Sequence, residues 1–355
     1  MKDAKKILLR LPNWLGDAVM ISPAFELLKA RFTDAKFVLI GTEASCGIYA
    51  RDLRVEKIFV DLTKKCDCLK RFAWLKKVPF VGKNANRFVA TKDFAREIVA
   101  EVGEIDIAID FTNHFFSALL IYFTNAKIRV GYAKNGRGML LNKKIWFVRG
   151  LHQVALYLNL INEICGKKLI KIMDSHLRES APLKLQNRAI KGFKSDDKLC
   201  IGINPGAAYG SAKRWEEQYF VEIILHFLKN DCAVFIFGND NLNLPPNIAQ
   251  NPRLHNLIRQ TTISELVDYI ALMDIFISND SGPMHIAAAF RVPLVAIFGA
   301  TNAKETAPWV DNAMILDKHL PCAPCKRREC PLKHHNCMKL ITPDEVIESV
   351  NKILR

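Results

Sequence analysis

The stretch "DIFISNDSGPMHIAAAF", residues 274–290, decides the fold. Its apolar run predicts a strand that ends near Asn279 and Asp280, and "SGPMHIAAAF" predicts a helix opening near Gly282. A strand, a short polar turn and a helix make one step of a parallel sheet, because the chain must cross back over the sheet before the next parallel strand. Asp280 or Ser281 as N-cap, with Pro283 in the first turn, accounts for half of that polar turn. His285 has no place in this account. It sits one turn into a helix whose free backbone N–H groups, beside Ser281 and Gly282, can hold a diphosphate.

The same step recurs on both sides of this stretch. Around it stand the strand candidates "LCIGINPG", "CAVFIFG", "RLHNLI", "PLVAIFG" and "AMILD", with helices expected at about 216–229 and 264–273. The first half repeats the pattern with "KKILLRL", "KFVLIG", "EKIFV", "DIAIDF" and "KIRVGY", and a helix from about Ala18 to Arg31. Runs apolar on both faces and separated by helices read as parallel sheets covered on two sides. A chain of 355 residues also exceeds the size at which one core keeps growing. The reading is α/β with two doubly wound, Rossmann-like domains. Residues 1–176 form the first, 177–198 a polar linker, 199–342 the second, and 343–355 a last helix that can pack on either. Open α/β sheets bind ligands at the carboxyl ends of their strands, so the two domains are expected to face a common central cleft.

Half of the residues are hydrophobic, which argues for packed cores, and the formal net charge is +15. Between Lys64 and Arg96, ten Lys or Arg stand against two Asp, a net +8, interleaved with Phe, Trp and aliphatic residues. This composition suits an anionic membrane face, a phosphorylated ligand or nucleic acid, and equally a solvated helix face. No window approaches the roughly 18 uninterrupted apolar residues of a membrane span, and no apolar leader follows the N-terminal lysines. The expectation is a cytoplasmic protein that can touch the inner face of a membrane. Of ten cysteines, Cys200 and Cys232 lie in apolar runs where reduced core thiols are expected.

Candidate chemistry sits at four strand ends. After the first strand, "PNWLGD" offers Asn13, Gly16 and Asp17; Asp17 can cap a helix, or take a proton from an attacking hydroxyl. "GINPGAAYGSAKRW" ends a strand in small residues and then brings Lys213 and Arg214, suited to the charge on a departing diphosphate or to a solvated turn. "FIFGNDN" supplies Gly238 and Asp240, whose carboxylate can accept from a sugar hydroxyl. The fourth is the opening stretch. Neither G-x-G-x-x-G after the first strand nor G-x-S-x-G is present, which disfavours a nicotinamide dehydrogenase and an α/β-hydrolase. Transfer from an activated, phosphate-bearing donor remains.

Together, "LPNWLGDAVMISPAFELLKARF", "NPGAAYGSAKRW" and "ISNDSGPMHIAAAFRVPLVAIFGATN" resemble the bacterial heptosyltransferases of lipopolysaccharide core assembly, in that family's order and across both halves. The resemblance implies a GT-B architecture, ADP-heptose as donor, and a membrane-anchored heptosyl-Kdo-lipid A acceptor. It also implies inversion at the anomeric carbon without a required metal. By residue it places the base on Asp17, the phosphate-binding lysine on Lys213, a nucleoside contact on Asp240, and the motif D-[ST]-G-x-x-H on Asp280, Ser281, Gly282 and His285. Asn13, Gly16, Gly206, Ala208, Tyr209, Gly238 and Thr261 complete the expected donor contacts. The turn at Ala207, Ala208 and Tyr209 lacks the threonine pair that some relatives use near phosphate.

"CAPCKRRECPLKHHNC" adds Cys322, Cys325, Cys330 and Cys337, with His334 and His335 between the last two. The spacing admits structural zinc, reduced packing thiols, or an iron–sulfur or redox site, none of them needed for glycosyl transfer. Two rival functions stay open: an inverting GT-B transferase with another nucleotide sugar, and a basic nucleic-acid-binding protein with a Cys-rich metal site. The second leaves Asp17, Asp280 and His285 idle. The preferred reading has no nucleic-acid partner and acts as a monomer.

Overall fold

The computed structural model describes residues 4–65, 79–165, 176–190, 193 and 198–355, with the side chains of the helix that starts at Pro79 described from 84 onward. Much of the basic stretch, and with it Cys66 and Cys68, lies outside the described residues. The chain folds as two compact units, Met1–Arg149 with Ala155–Met173, and Gly150–Val154 with Asp174–Arg355.

The first unit carries a six-stranded sheet of β1 (Lys6–Arg10), β2 (Lys36–Gly41), β3 (Val55–Val60), β4 (Ile107–Asp110), β5 (Ile128–Tyr132) and β6 (Lys143–Ile145), in the order β3-β2-β1-β4-β5-β6. All neighbours pair in parallel. The second unit repeats this with β7 (Cys200–Asn204), β8 (Ala233–Ile236), β9 (Leu254–Asn256), β10 (Ile275–Asn279), β11 (Leu294–Ile297) and β12 (Ala313–Leu316), in the order β12-β11-β10-β7-β8-β9, again all parallel. Both are the doubly wound arrangement, whose order reverses between β1 and β4 in one unit and between β7 and β10 in the other. Every residue of β4, β7, β8, β10 and β11 is buried, whereas the edge strands β3, β9 and β12 are largely open. Burial on two faces is why the interior strands read as unbroken apolar runs.

β6 had no counterpart among the expected strands, since three residues, "KKI", carry too little pattern. The expected helix from Ala18 to Arg31 is two helices, Leu15–Met20 and Ser22–Arg31. Pro23 has no N–H to give the carbonyl four residues back, which interrupts the ladder without turning the chain. The earlier start at Leu15 puts Asp17 in the first turn.

The expected linker is tied to the second unit over its described part. Leu177 is buried, the Trp309 indole N–H donates to Ala181 O at 3.0 Å, and Arg188 N–H donates to Asp268 Oδ1 at 2.7 Å. The last helix, Pro343–Ile353, also packs on this unit, burying Val346 and Val350 with Trp215, Phe220 and Ile223. Thr342 and Glu345 form a capping box at its start.

Candidate active site

In the first unit the carboxyl end of β1 leads into Asn13 and Asp17. The buried Arg10 guanidinium donates to Asn13 Oδ1 at 3.1 Å and pairs with Asp61 at 2.9 Å, and Thr42 Oγ1 donates to Asn13 O at 3.2 Å. These bonds fix the loop that carries Asp17; the Asn13 side chain is committed to Arg10. Asp17 is half-buried, and its Oδ1 accepts from the buried Tyr157 hydroxyl at 3.1 Å. Tyr157 packs edge-on against Phe111, which follows β4. Beside it, at the end of β4, Asp110 and Arg137 form a fully buried ion pair. Burial pushes the Asp110 carboxyl up, against the opposing pull of Arg137. Neither Tyr157 nor the Asp110–Arg137 pair was singled out in the sequence: Tyr157 is one polar tip in an apolar helix pattern, and the partners of the pair lie on separate segments.

In the second unit the ends of β7 and β10 meet at the switch point. Asn204 faces Ser278 in the register, and Asn204 Nδ2 donates to Ser281 Oγ at 2.9 Å and to Gly206 O at 3.0 Å. Asn279 Nδ2 donates to Pro205 O at 2.6 Å, while its Oδ1 accepts from Trp215 N–H at 3.1 Å. These buried amides hold the two polar turns together, as buried polar groups must be paired. Gly238, at φ +116°, lies in the left-handed region, and a Cβ there would approach Asn204 Oδ1 to 2.9 Å.

The turn 209–214 and the opening stretch are joined by a salt bridge. Lys213 Nζ stands 2.6 Å from Asp280 Oδ2, both side chains largely buried, and Thr301 Oγ1, at the end of β11, donates to the same carboxylate oxygen. Lys213 also lies over the half-buried Tyr209 ring, 4.9 Å from its centre. Thr301 was not among the expected residues; it follows a strand end, the one signal that points to it. Ser281 occupies the expected N-cap position with Pro283 in the first turn, yet its hydroxyl makes no cap bond and faces Asn204 and Ser278 instead. Asp280 is taken by Lys213 and Thr301. The first turn of helix Gly282–Ala289 therefore carries no side-chain cap. The helix after Lys213 begins at Glu217, within a residue of the expected start, with Glu216 as its N-cap.

Asp240 accepts from Ala207 N–H at 3.1 Å and pairs with Arg214 at 3.0 Å, and a Cβ on Gly206 would come within 3.0 Å of its Oδ2. Ala208 is exposed on the turn before Tyr209, and Thr261 is half-buried just ahead of Thr262, which caps the helix Ile263–Ile270. Lys213, Asp280, Ser281, Gly206, Asp240 and Gly238 are thus gathered at neighbouring strand ends of one unit. Asn13, Gly16 and Asp17 lie in the other.

His285 is buried, and its Nδ1 has no hydrogen-bond partner among the described residues. Burial, helped by the Lys213 charge, pushes its pKa down to about 3. His152 is lowered to about 4, again chiefly by burial; Val154 N–H donates to its Nδ1 at 3.2 Å and its Nε2 donates to Ala307 O at 3.0 Å. Both imidazoles are neutral in the folded protein and take up protons near their ordinary pKa only on unfolding. Their contribution is complete above that value and is lost as the pH falls. Unfolding free energy is expected to drop by about 2 kcal/mol per imidazole between pH 7 and 5. Urea unfolding at the two pH values measures this, and a His285→Asn variant should lose about half of the combined effect.

The four cysteines of the C-terminal cluster are free thiols that line one small cavity with Ala212 and Ala300. Burial, with the three other thiols nearby, pushes Cys337 up to about 11. As placed, the described residues contain no set of three His, Cys, Asp or Glu side chains at metal-binding spacing. Zinc at this cluster is thus not established by the geometry as it stands. Nor does any described helix have the length and apolarity to cross a membrane.

Two Rossmann-order units, one with a lysine–aspartate pair at its switch point, fit the GT-B class of glycosyltransferase. Residues 95–336 match glycosyltransferase family 9 (heptosyltransferase). The chain is 35% identical to lipooligosaccharide heptosyltransferase 2 of Campylobacter jejuni subsp. jejuni serotype O:2, over 99% of its own length and 98% of the relative's. It is 25% identical to lipopolysaccharide heptosyltransferase 2 of Escherichia coli K12, over 98% of each. The solved structure of E. coli ADP-heptose LPS heptosyltransferase II superposes with a TM-score of 0.72, at 22% identity and over 98% of each chain. The chain belongs to glycosyltransferase family 9, the heptosyltransferases.

Proposed function

We propose that the enzyme transfers L-glycero-D-manno-heptose from ADP-heptose to the first heptose of a Kdo-lipid A inner core, with inversion at the anomeric carbon. The observation that carries this is Lys213, fixed by Asp280 and Thr301 in the unit whose helix Gly282–Ala289 has no side-chain cap. A cation and free helix N–H groups at one switch point suit a nucleoside diphosphate. The names of the family relatives support ADP-heptose as that donor and lipopolysaccharide or lipooligosaccharide as the acceptor class.

In this reaction Asp17 takes the proton from the acceptor hydroxyl, whose oxygen forms the new bond to the anomeric carbon while the bond from that carbon to the diphosphate breaks. Lys213 and the uncapped N–H groups hold the charge that ADP gains. Ser281, Gly282 and His285 are assigned to the diphosphate and heptose, and Asp240, Gly206, Ala208, Tyr209, Gly238 and Thr261 to the nucleotide end. Asn13 and Gly16 shape the loop of Asp17. One displacement with a base and no protein nucleophile inverts the centre. The chain's own residues supply these roles, with no metal assigned to the transfer. Because the acceptor is lipid-linked, the enzyme is proposed to work at the inner face of the cytoplasmic membrane, with the basic stretch Lys64–Arg96 as its contact; residues 66–78 of that stretch lie outside the described residues.

Donor release with a heptosylated Kdo2-lipid A acceptor tests the reading. ADP-heptose is expected to exceed UDP-hexoses and GDP-mannose by at least about 100-fold in kcat/KM. Comparable turnover with another nucleotide sugar would sink the assignment of donor.

A further inference from the structure

Between Asp110 and Glu163 the chain holds seven Lys or Arg and neither Asp nor Glu. Four of the seven are engaged within the first unit. Lys127 pairs with Asp106, Arg137 with the buried Asp110 and Lys143 with Glu163, while Arg129 donates to Leu140 O at 3.1 Å and Ala126 O at 2.9 Å. The other three, Lys134, Lys144 and Arg149, are exposed, and no described carboxylate pairs with them. Lys134 follows β5, Lys144 lies within β6 and Arg149 follows it, so all three belong to the outer edge of the first sheet. Cations on one edge with no neighbouring carboxylate to cancel their field attract an anionic partner.

The same edge carries open apolar side chains on an anchored backbone. Ala133 N–H donates to Ile145 O at 2.8 Å, which joins the ends of β5 and β6, and Asn135 Nδ2 donates to Asn113 O at 2.8 Å, which ties the loop after β5 to the loop after β4. Lys134 Nζ lies 3.9 Å from the centre of the Phe147 ring, and Phe147 packs edge-on against the buried Tyr132. Burial alternates along this segment: Ile145 is buried and Phe147 half-buried, whereas Lys144, Trp146 and Val148 are open. Trp146 is 77% exposed and Val148 43%. Tryptophan is highly buried on average, so an indole this open on a fixed segment points to a partner that covers it.

We propose that this edge docks on an anionic phospholipid bilayer, with Trp146 and Val148 entering the headgroup boundary and Lys134, Lys144 and Arg149 meeting lipid phosphates. An indole flanked by cations suits that boundary, where the apolar body is drawn inward and each basic group gains from the negative surface potential. A nucleic acid takes the same cations, yet the aliphatic Val148 offers it neither a stacking face nor a hydrogen bond, whereas a lipid boundary uses both apolar side chains. The surface is separate in sequence from the basic stretch Lys64–Arg96, so the enzyme has two points of contact. Two linked contacts hold a peripheral protein far more firmly than either alone. The purpose of the contact rests on the reading of a lipid-linked acceptor; the chemistry of the edge does not.

The test mixes full-length protein with vesicles of phosphatidylcholine, alone or with phosphatidylglycerol added. The wild type is expected to bind the anionic vesicles at least about tenfold more tightly than the neutral ones. Lys134→Ala, Lys144→Ala and Arg149→Ala together should weaken that binding about 100-fold, and Trp146→Ser with Val148→Ser about tenfold. Amide hydrogen exchange on the wild type, which needs no variant to fold, should slow at least about threefold over residues 144–149 when anionic vesicles are added. Either variant binding within about twofold of the wild type, or unchanged exchange over 144–149, overturns the proposal. Should the wild type still bind in that case, the contact through Lys64–Arg96 stands by itself. No binding to either vesicle overturns both contacts. Binding to single-stranded RNA without binding to vesicles, or a dimer dispersed by Trp146→Ser, assigns the edge to another partner and also overturns it. Donor release with the acceptor dispersed in detergent should stay within about twofold of the wild type in both variants, so that a failure of the edge and a failure of the transferase reading are told apart.

Discussion

An Asp17→Asn enzyme is expected to turn over about 10³-fold more slowly than the wild type while its affinity for ADP stays within about twofold. The substitution keeps the shape of the side chain and an oxygen that can accept from Tyr157, 3.1 Å away in the wild-type chain, but removes the proposed base. The loss should fall on kcat, because the proton is taken only in the transition state. Asp17 lies in the first turn of its helix, where a negative charge contributes up to about 1 kcal/mol, so the variant should unfold slightly more easily. A purely structural Asp17 predicts that this stability change is the whole effect. Single-turnover kinetics and ADP titration separate the two, and near-normal turnover ends the assignment. Tyr157→Phe sharpens the test: without the phenol the carboxylate is less stabilised, so the acid limb of the pH–rate profile should move to higher pH with a smaller fall in kcat.

The fold was legible because its signal is local. Interior strands such as "CIGIN", "AVFI" and "LVAI" are buried on both faces, and each ends in a polar turn that the sequence marks with Gly, Pro or Asn. The candidate residues were legible for the same reason, since strand ends carry the ligand-facing loops of such sheets. Their partners were not. Asn204 meets Ser281 only because β7 and β10 are neighbours in register, and Lys213 reaches Asp280 across a separation in sequence that no local pattern encodes. Ser281 does take the expected N-cap position, but the side-chain bond that a short-range rule attaches to a cap is missing, because a buried amide from another strand engages its hydroxyl. Edge strand β6 and the Pro23 interruption were missed because three residues, or one missing N–H, change the hydrophobic pattern too little to register.

Lys213→Ala is expected to lower kcat/KM by about 10²- to 10³-fold and to weaken ADP binding by at least about tenfold, since the proposed site then lacks its cation for the leaving diphosphate. The same substitution strands Asp280 in a nearly dry position with Thr301 as its remaining partner, a change of the kind that costs about 3 kcal/mol of stability. Activity and folding are thus confounded in the single variant, and the salt bridge itself supplies the means to separate them. Asp280→Asn together with Lys213→Ala removes both charges, so most of the stability should return. If Lys213 acts on the donor, the double variant stays slow and still binds ADP weakly. If Lys213 only neutralises Asp280, the double variant recovers rate and affinity along with stability, and the lysine loses its place in the reaction. Lys213→Arg keeps the charge but moves it on a longer, planar group, so it should hold ADP better than alanine does while failing to restore the full rate.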